Sequence, residues 1–407
     1  MLKGKTVLLG VTGSIAAYKA AGVASRLKKL HADVHVLMTQ NATQFIHPIT
    51  FETLTGNKCL IDTFDRNFEF DVEHVALAKR ADVFLIAPAS ANVIGKIAGG
   101  IADDMLTTTV MACTCKKLIA PAMNTRMYEN PILQDNLKKL REYGMEILEP
   151  DTGYLACGDT GKGKLLSEDV LVEAVLKEIR FEKDMEGLKV LVTAGATMEP
   201  IDPVRFITNH SSGKMGAALA AVAMQRGAQV TLVKANTTAP LPSFVKTVSV
   251  RSAKDMYEAI RAVSGSMDII VKAAAVADYT PAMTADEKVK KSDAELSIGL
   301  KRTTDILAYL GQNRRHGQIL CGFSMETENM LENSKAKLTK KNVDMIVANN
   351  VKVEGAGFGT DTNVVTLITA GGVEELPIMS KDEAAVRIFD ALLQLRKKAL
   401  ETGEETV

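Results

Sequence analysis

Two stretches decide the fold: Lys5-Thr6-Val7-Leu8-Leu9, which meets a turn at Gly10 and Gly13, and Lys189-Val190-Leu191-Val192-Thr193, which meets one at Gly195. Each is a short apolar run stopped by glycine, the pattern of a buried strand handing over to a helix. A helix-sized segment and a second apolar run follow each: Ala32-Asp33-Val34-His35-Val36-Leu37 in the first half, Ala228-Gln229-Val230-Thr231-Leu232-Val233 in the second. Third runs come at Ala81-Asp82-Val83-Phe84-Leu85-Ile86 and Met267-Asp268-Ile269-Ile270-Val271. Apolar strands alternating with helices mean parallel sheets covered on both faces. The fold class is α/β, with two tandem doubly wound parallel-sheet domains. They share an architecture and are not sequence repeats. The polar stretch Arg180–Gly187 marks the boundary, giving domains 1–184 and 185–407.

Helix ends are marked as clearly. Ser14 can cap a helix with apolar positions Ile15, Val23, Leu27 and Leu30. Asn130-Pro131 gives a cap and a first-turn proline, and Gly144 a stop. Ser380 and Glu383 form a capping box ahead of Ala385, Phe389 and Leu392. The polar tail after Lys398 is expected to fray.

Composition excludes several classes. Lys plus Arg and Asp plus Glu both number 49, so the chain carries no net charge to attract nucleic acid or an anionic membrane. Aromatics are 5% and Trp is absent, which disfavours a base-stacking surface. Five scattered cysteines (Cys59, Cys113, Cys115, Cys157, Cys321) do not make a disulfide framework or a four-cysteine zinc site. The apolar run after Lys3 and Lys5 is broken by Gly10 and Gly13, so it does not read as a secretory signal. No run reaches the ~18 apolar residues of a membrane span. A soluble, cytoplasmic protein without nucleic-acid or membrane partners is expected.

Ligands of open α/β sheets sit beyond the carboxyl ends of the strands. Gly10 to Ser14 lies there, and its amides suit a phosphate. The turn reads Gly-x-x-Gly rather than Gly-x-Gly-x-x-Gly, and the second run ends in Met38-Thr39 with no acid to hold a ribose. A dinucleotide is disfavoured; a mononucleotide such as FMN fits better. Ser211-Ser212-Gly213-Lys214-Met215-Gly216 is not a Walker A loop, because no glycine lies five residues before Gly213.

Longer motifs carry a resemblance. Gly13-Ser14-Ile15-Ala16-Ala17, His74, Pro88-Ala89-Ser90-Ala91-Asn92, Pro121-Ala122-Met123-Asn124-Thr125-Arg126-Met127-Tyr128 and Ala156-Cys157-Gly158 resemble the flavin-containing cysteine decarboxylases. Asp202-Pro203-Val204-Arg205-Phe206-Ile207-Thr208-Asn209-His210, the run on to Gly216, Ala273–Tyr279 and Glu287–Lys291 resemble phosphopantothenate–cysteine ligase. Together they resemble the bacterial bifunctional phosphopantothenoylcysteine decarboxylase/phosphopantothenate–cysteine ligase family of coenzyme A biosynthesis. Three positions depart from it: Tyr128 stands where Trp is frequent, Thr303-Thr304-Asp305 replaces a Pro-Asp pattern, and Lys272 replaces a small residue.

The resemblance implies a flavodoxin-like first domain and a Rossmann-like second. It implies that FMN is held by Gly13, Ser14, Ile15, Thr39, Ser90, Asn92 and Met123. Flavin oxidation of the cysteine to a thioaldehyde precedes loss of CO2, and the ene-thiol is then reduced. His74 serves the oxidative step, Asn124 holds the substrate carboxylate, and Cys157 donates the final proton from a Gly-rich flap. In the ligase, 4'-phosphopantothenate, cysteine and CTP are the substrates, and an acyl-cytidylate is the intermediate. Lys288, Lys337 and Lys341 contact the nucleotide with Ala273, Ala274, Asp278, Asp305 and Phe323. Asn209 positions the acyl-cytidylate, Arg205 assists the second step, and Mg2+ bridges the phosphates with no ligand set identified. A homo-oligomer, a dodecamer built from trimer and dimer contacts, is also implied.

Each residue alone has a plainer reading. An isolated Cys is usually a small core residue, Asn124 a turn former, His74 a solvated helix start, and a lysine run a solvated face. Two other functions share the first fold: a flavodoxin-like regulatory binding protein and a flavin prenyltransferase. The joint presence of His74, Asn124 and Cys157 argues against the former, and the Cys157 flap and attached ligase motifs against the latter.

Overall fold

The computed structural model describes residues 2–64, 73–290, 297–325, 330–349 and 360–404. It divides into two compact units, Met1–Glu182 and Lys183–Val407.

The first unit holds strands β1 (Thr6–Val11), β2 (Asp33–Met38), β3 (Val83–Ala89), β4 (Lys116–Pro121), β5 (Glu146–Ile147), β6 (Asp151–Tyr154) and β7 (Thr160–Lys164). The first five form a parallel sheet in the order β2-β1-β3-β4-β5. β3, buried at every residue, occupies the centre. The order reverses direction between β1 and β3, so a crevice opens there at the carboxyl edge. β6 and β7 form a separate antiparallel hairpin. One core cluster joins Leu8, Phe84, Ile86, Ile94, Leu106, Ile119 and Leu137.

The second unit holds β8 (Lys189–Ala194), β9 (Met198–Pro200), β10 (Phe206–Thr208), β11 (Gln229–Lys234), β12 (Lys246–Ser249), β13 (Ile269–Lys272) and β14 (Tyr279–Pro281). Further on come β15 (Leu300–Arg302), β16 (Ile319–Met325), β17 (Met345–Asn349), β18 (Thr362–Asn363), β19 (Val365–Thr369), β20 (Gly372–Glu375) and β21 (Met379–Ser380). Its main sheet runs β12-β11-β8-β13-β16-β17-β19-β20. Its direction reverses between β8 and β13. Short ribbons β9–β10, β14–β15 and β18–β21 stand apart from it.

Both parallel sheets match expectation, and the edge of the second departs from it. β19 and β20 are antiparallel, because the turn between them holds only Ala370 and Gly371, too few for a crossover. Ser14 caps a short 3-10 turn, Ile15–Ala17, rather than the helix Tyr18–Lys29 that follows. Ile15 is consequently 59% exposed and is no core residue. Asn130 caps Pro131–Glu142 through Oδ1, and Ser380 and Glu383 make the reciprocal box. The tail does not fray at Lys398: the helix Lys381–Glu404 continues, with Lys397 and Glu401 4.0 Å apart one turn on. No described helix is long and apolar enough to cross a membrane.

Gly216 is required where the helix Lys214–Gln225 crosses β8. A Cβ there would stand 2.5 Å from Ala194 Cβ and 2.8 Å from Thr193 O, and neither can move without shifting a central strand. Gly216→Ala should therefore destabilise the second unit by about 1–3 kcal/mol. Urea unfolding checks this through a lowered midpoint; an unchanged midpoint contradicts such close packing.

Candidate active sites

The parallel sheet brings one polar residue from the end of each strand to a common edge. Ser14 follows β1, Thr39 follows β2, Ser90 follows β3 and Asn124 follows β4. Each also caps the helical turn after it, so the plainer reading of these residues holds as well. The edge is stitched by Thr12, whose hydroxyl donates to Pro88 O at 2.7 Å and accepts from Ser90 N at 2.9 Å.

At the reversal of strand order lies a cavity of about 570 Å3. Gly13, Ser14, Ile15, Ser90, Met123, Asn124 and Cys157 line it, seven of the ten first-unit site positions. Its walls combine a turn rich in amides and hydroxyl groups with the apolar Ile15, Ala91, Ala122 and Met127. That donor set fits a planar heterocycle carrying a phosphate. Thr39, Asn92 and His74 do not line it. His74 lies half-buried in the helix Glu73–Arg80, and the preceding Asp71 and Val72 fall outside the described residues.

The β6–β7 hairpin brings Tyr154, Leu155, Ala156 and Cys157 to this cavity. Two contacts fix its base. Met123 N donates to Gly163 O at 3.0 Å, and Gly163, at φ +136, has no Cβ because one would sit 2.3 Å from Met123 O. Tyr128 and Lys162 both donate to Glu149 Oε2, at 2.8 and 2.7 Å, and Arg141 pairs with the other oxygen. Burial pushes the Glu149 carboxyl up, but Lys162, Tyr128 and Arg141 outweigh it and hold it below its usual range. Tyr128 thus supplies a hydroxyl that an indole at that position could not place in the same way.

At the tip, Asn124 Oδ1 accepts from Arg126 N at 2.9 Å, which turns the amide nitrogen towards the hairpin. That nitrogen donates to Cys157 Sγ at 3.2 Å and to Asp159 Oδ2 at 3.0 Å. Cys157 is exposed. Asp159 and Glu149 were not legible as site residues, although an Asp two residues beyond a Cys in a glycine-rich turn is a signal for local hydrogen bonding.

The second unit has its cavity beside the strand-order reversal too. It measures about 350 Å3 and is lined by Lys272, Val276, Asp278, Tyr279, Arg302 and Thr303–Ile306. Of the nucleotide positions, Asp278 and Asp305 line it. Lys341 pairs with Asp305, and Lys337 donates to Ser324 Oγ at 3.1 Å. Burial, with Lys337 and Lys341 nearby, pulls the Lys272 ammonium below its usual range, against the pull of Asp305 and Asp278. Ala273 and Ala274, at the start of the loop after β13, and Phe323, on β16, are not in the lining. Ala274 N donates to Thr193 Oγ1 at 3.0 Å and Ala277 N to Thr197 Oγ1 at 3.0 Å, so two buried threonines set the loop that carries Asp278. Thr303 holds the same loop, donating from its hydroxyl to Ala277 O at 2.7 Å and from its amide to Asp278 O at 2.9 Å. The departure from Pro-Asp therefore keeps a defined turn.

Arg205 grips the fully buried Asp202, with Nη2 2.6 Å and Nε 3.0 Å from Oδ2, and donates from Nη2 to Val289 O at 2.7 Å. Val289 N donates back to Asp202 at 3.2 Å. This bracket fixes the backbone next to Lys288, which is itself exposed. Arg205, with Val204 and Val289 amides, holds the Asp202 carboxyl well below the carboxylate range. Asn209 Nδ2 donates to Ala275 O at 3.4 Å, tying it to the Ala273–Asp278 loop. Among the described residues no group of three or more potential metal ligands gathers.

Comparisons with known proteins agree with this division. A family model described as Flavoprotein matches residues 1–180, and one described as DNA/pantothenate metabolism flavoprotein C-terminal domain matches residues 185–395. The coenzyme A biosynthesis bifunctional protein CoaBC of Bacillus subtilis (strain 168) is 45% identical over 410 residues, covering 100% of each chain. That of Escherichia coli (strain K12) is 39% identical over 395 residues, 96% of this chain and 97% of that protein. The solved C-terminal domain of a CoaBC protein is 45% identical and covers 52% of this chain and 99% of its own, with a TM-score of 0.45. By identity along its whole length, the chain belongs to the family of coenzyme A biosynthesis bifunctional proteins.

Proposed function

We propose that the first unit decarboxylates 4'-phosphopantothenoylcysteine with FMN, and that the second forms that substrate from 4'-phosphopantothenate, cysteine and CTP with Mg2+. The observation that carries this reading is the meeting of Met123, Asn124 and Cys157 with the Gly13-Ser14-Ile15 turn in one cavity.

FMN bound there supplies reversible hydride chemistry, which a cysteine carboxylate needs because its own carbon chain offers no electron sink. The chain's residues do the rest. Gly13, Ser14, Ser90 and Met123, which line the cavity, would hold the FMN. Asn124, its amide orientation set by Arg126 N, directs N–H donors at the substrate carboxylate. Cys157 holds the proton that its thiol delivers in the closing reduction. Tyr154 and Leu155 line the cavity on the hairpin side and would cover a bound substrate there. His74 takes the acid–base part of the oxidative step.

In the ligase, Lys288, Lys337 and Lys341 would meet phosphate charge, and Mg2+ carried in with the nucleotide would add further positive charge there. Asp278 contacts the cytidine and Phe323 flanks the base. Asn209 positions the activated carboxyl group for attack by the cysteine amine. Arg205 acts through its bracket on the Lys288 loop.

The purified protein should absorb in the visible and release FMN on denaturation. A colourless protein that takes up no FMN overturns the decarboxylase half. Cys157→Ser should still liberate CO2 yet give no 4'-phosphopantetheine; a normal yield of that thiol removes the proton-donor role. Asn209→Asp should stop CTP-dependent amide formation and spare decarboxylation, whereas loss of both activities would report misfolding.

Asp202→Asn should lower ligase turnover at least about tenfold, in line with the roughly 1.4 kcal/mol or more that a displaced positioning group costs. The stabilising share of Asp202 is present above the unfolded carboxyl value of about 4 and is lost as pH falls towards the depressed folded value. The gap in urea midpoint between wild type and Asp202→Asn should thus be full at neutral pH and close on acidification. A gap independent of pH contradicts the ionised bracket.

A further inference from the structure

We propose that Asp159 is a specificity-determining residue of the decarboxylase site, its carboxylate holding in the free enzyme the place on Asn124 that the substrate carboxylate takes. The proposal rests on the reading of Asn124 given above.

The donor count carries it. A side-chain amide has one oxygen and two N–H donors. The oxygen of Asn124 is committed to Arg126 N at 2.9 Å, so the amide cannot flip without uncapping the following turn. Its nitrogen donates to Asp159 Oδ2 at 3.0 Å and to Cys157 Sγ at 3.2 Å. Both donors are therefore engaged by the hairpin tip. The tip is a closed turn, with Leu155 N donating to Asp159 O at 2.8 Å and Gly158 N to Leu155 O at 3.0 Å. Cys157 Sγ and Asp159 Oδ2 lie 3.5 Å apart, so the thiol and the carboxylate face Asn124 together.

A substrate carboxylate that reaches Asn124 must take one of these donors. The bond to Asp159 is the chemically equivalent one: a planar anionic acceptor on the same nitrogen. Two carboxylates on that nitrogen would be like charges a few ångströms apart, a repulsion that solvent weakens but does not remove at so short a range. Substrate binding therefore displaces Asp159 into water, where its exposed position makes the exchange mild. Once CO2 has left, the product has no carboxylate to offer, and Asp159 returns to Asn124. The residue thus weakens the hold on the acid while it is bound and leaves the contacts of the decarboxylated thiol as they were.

The test uses the full-length holoenzyme. The KM for 4'-phosphopantothenoylcysteine and the inhibition constant of the product 4'-phosphopantetheine are measured for wild type, Asp159→Asn and Asp159→Ala. Removing the competing charge should lower KM by roughly three- to tenfold, the range for one hydrogen bond to a charged group at an exposed site. The product's inhibition constant should change less than about twofold, since the product makes no carboxylate contact. In an Asn124→Ala background, Asp159→Asn should leave KM unchanged. KM and inhibition constant moving together would mean that Asp159 only shapes the hairpin, and a rise in KM alone would mean that it helps to hold substrate. Either overturns the proposal. If Asn124→Ala alone leaves KM unchanged, the carboxylate reading of Asn124 fails first and the proposal falls with it, a result separable from the other two.

Discussion

Parallel pairing of one strand with neighbours on both sides governs both units. β1 pairs with β2 and β3, and β8 with β11 and β13, so the chain must leave each central pair in opposite directions. Connections that part in this way open a crevice at the carboxyl edge, and helices begin there. Every parallel strand delivers its following turn to that same edge. Ser14, Ser90 and Asn124 are far apart in sequence and near in space for this reason alone. The same geometry in the second unit sets Gly195 to Thr197 beside Ala273 to Asp278, with Thr193 and Thr197 hydroxyls joining them.

Much of the polar chemistry at these edges is devoted to fixing backbone rather than to meeting a ligand. Asn124 shows how one side chain does both. Its oxygen caps a turn, and that commitment orients its nitrogen into the cavity. The Asp202–Arg205 bracket works in the same manner, with a carboxylate buried out of water and satisfied by a guanidinium and three backbone amides. A buried charge is tolerated when its lone pairs are all occupied. The result is a rigid frame next to Lys288, whose own ammonium stays in solvent. Glu149 performs the corresponding task under the hairpin, gathering Tyr128, Lys162 and Arg141 around one carboxylate.

The sequence was most informative where local periodicity and turn chemistry act together. Gly13 and Ser14 were legible from turn chemistry, whereas Met123, Asn124 and Cys157 were legible only through motifs that resemble a known family; all five line one cavity. Asp278 and Asp305 were likewise legible only through the resemblance and line the other. Thr39, Asn92 and His74 belong to the same motifs but lie outside the first lining, since a motif names neighbours in sequence and does not fix which of them face inward. Phe323 lies outside the second lining for a similar reason, since strand residues alternate in direction, and Ala273 and Ala274 are held in the loop after β13, where Ala274 N is bound to Thr193.

The amino-acid sequence by itself determined two α/β units, their parallel sheets, most helix caps and the identity of the residues at the strand ends, because these follow from apolar period, glycine position and side-chain hydrogen bonding within a few residues. Only the tertiary structure decided that Asp159 shares Asn124 with Cys157, that Asp202 and Arg205 hold the Lys288 loop, and that Lys272 faces two carboxylates. Those pairings join residues up to 87 positions apart. They are set by strand order and by the angle at which a hairpin or loop returns, which no local pattern encodes.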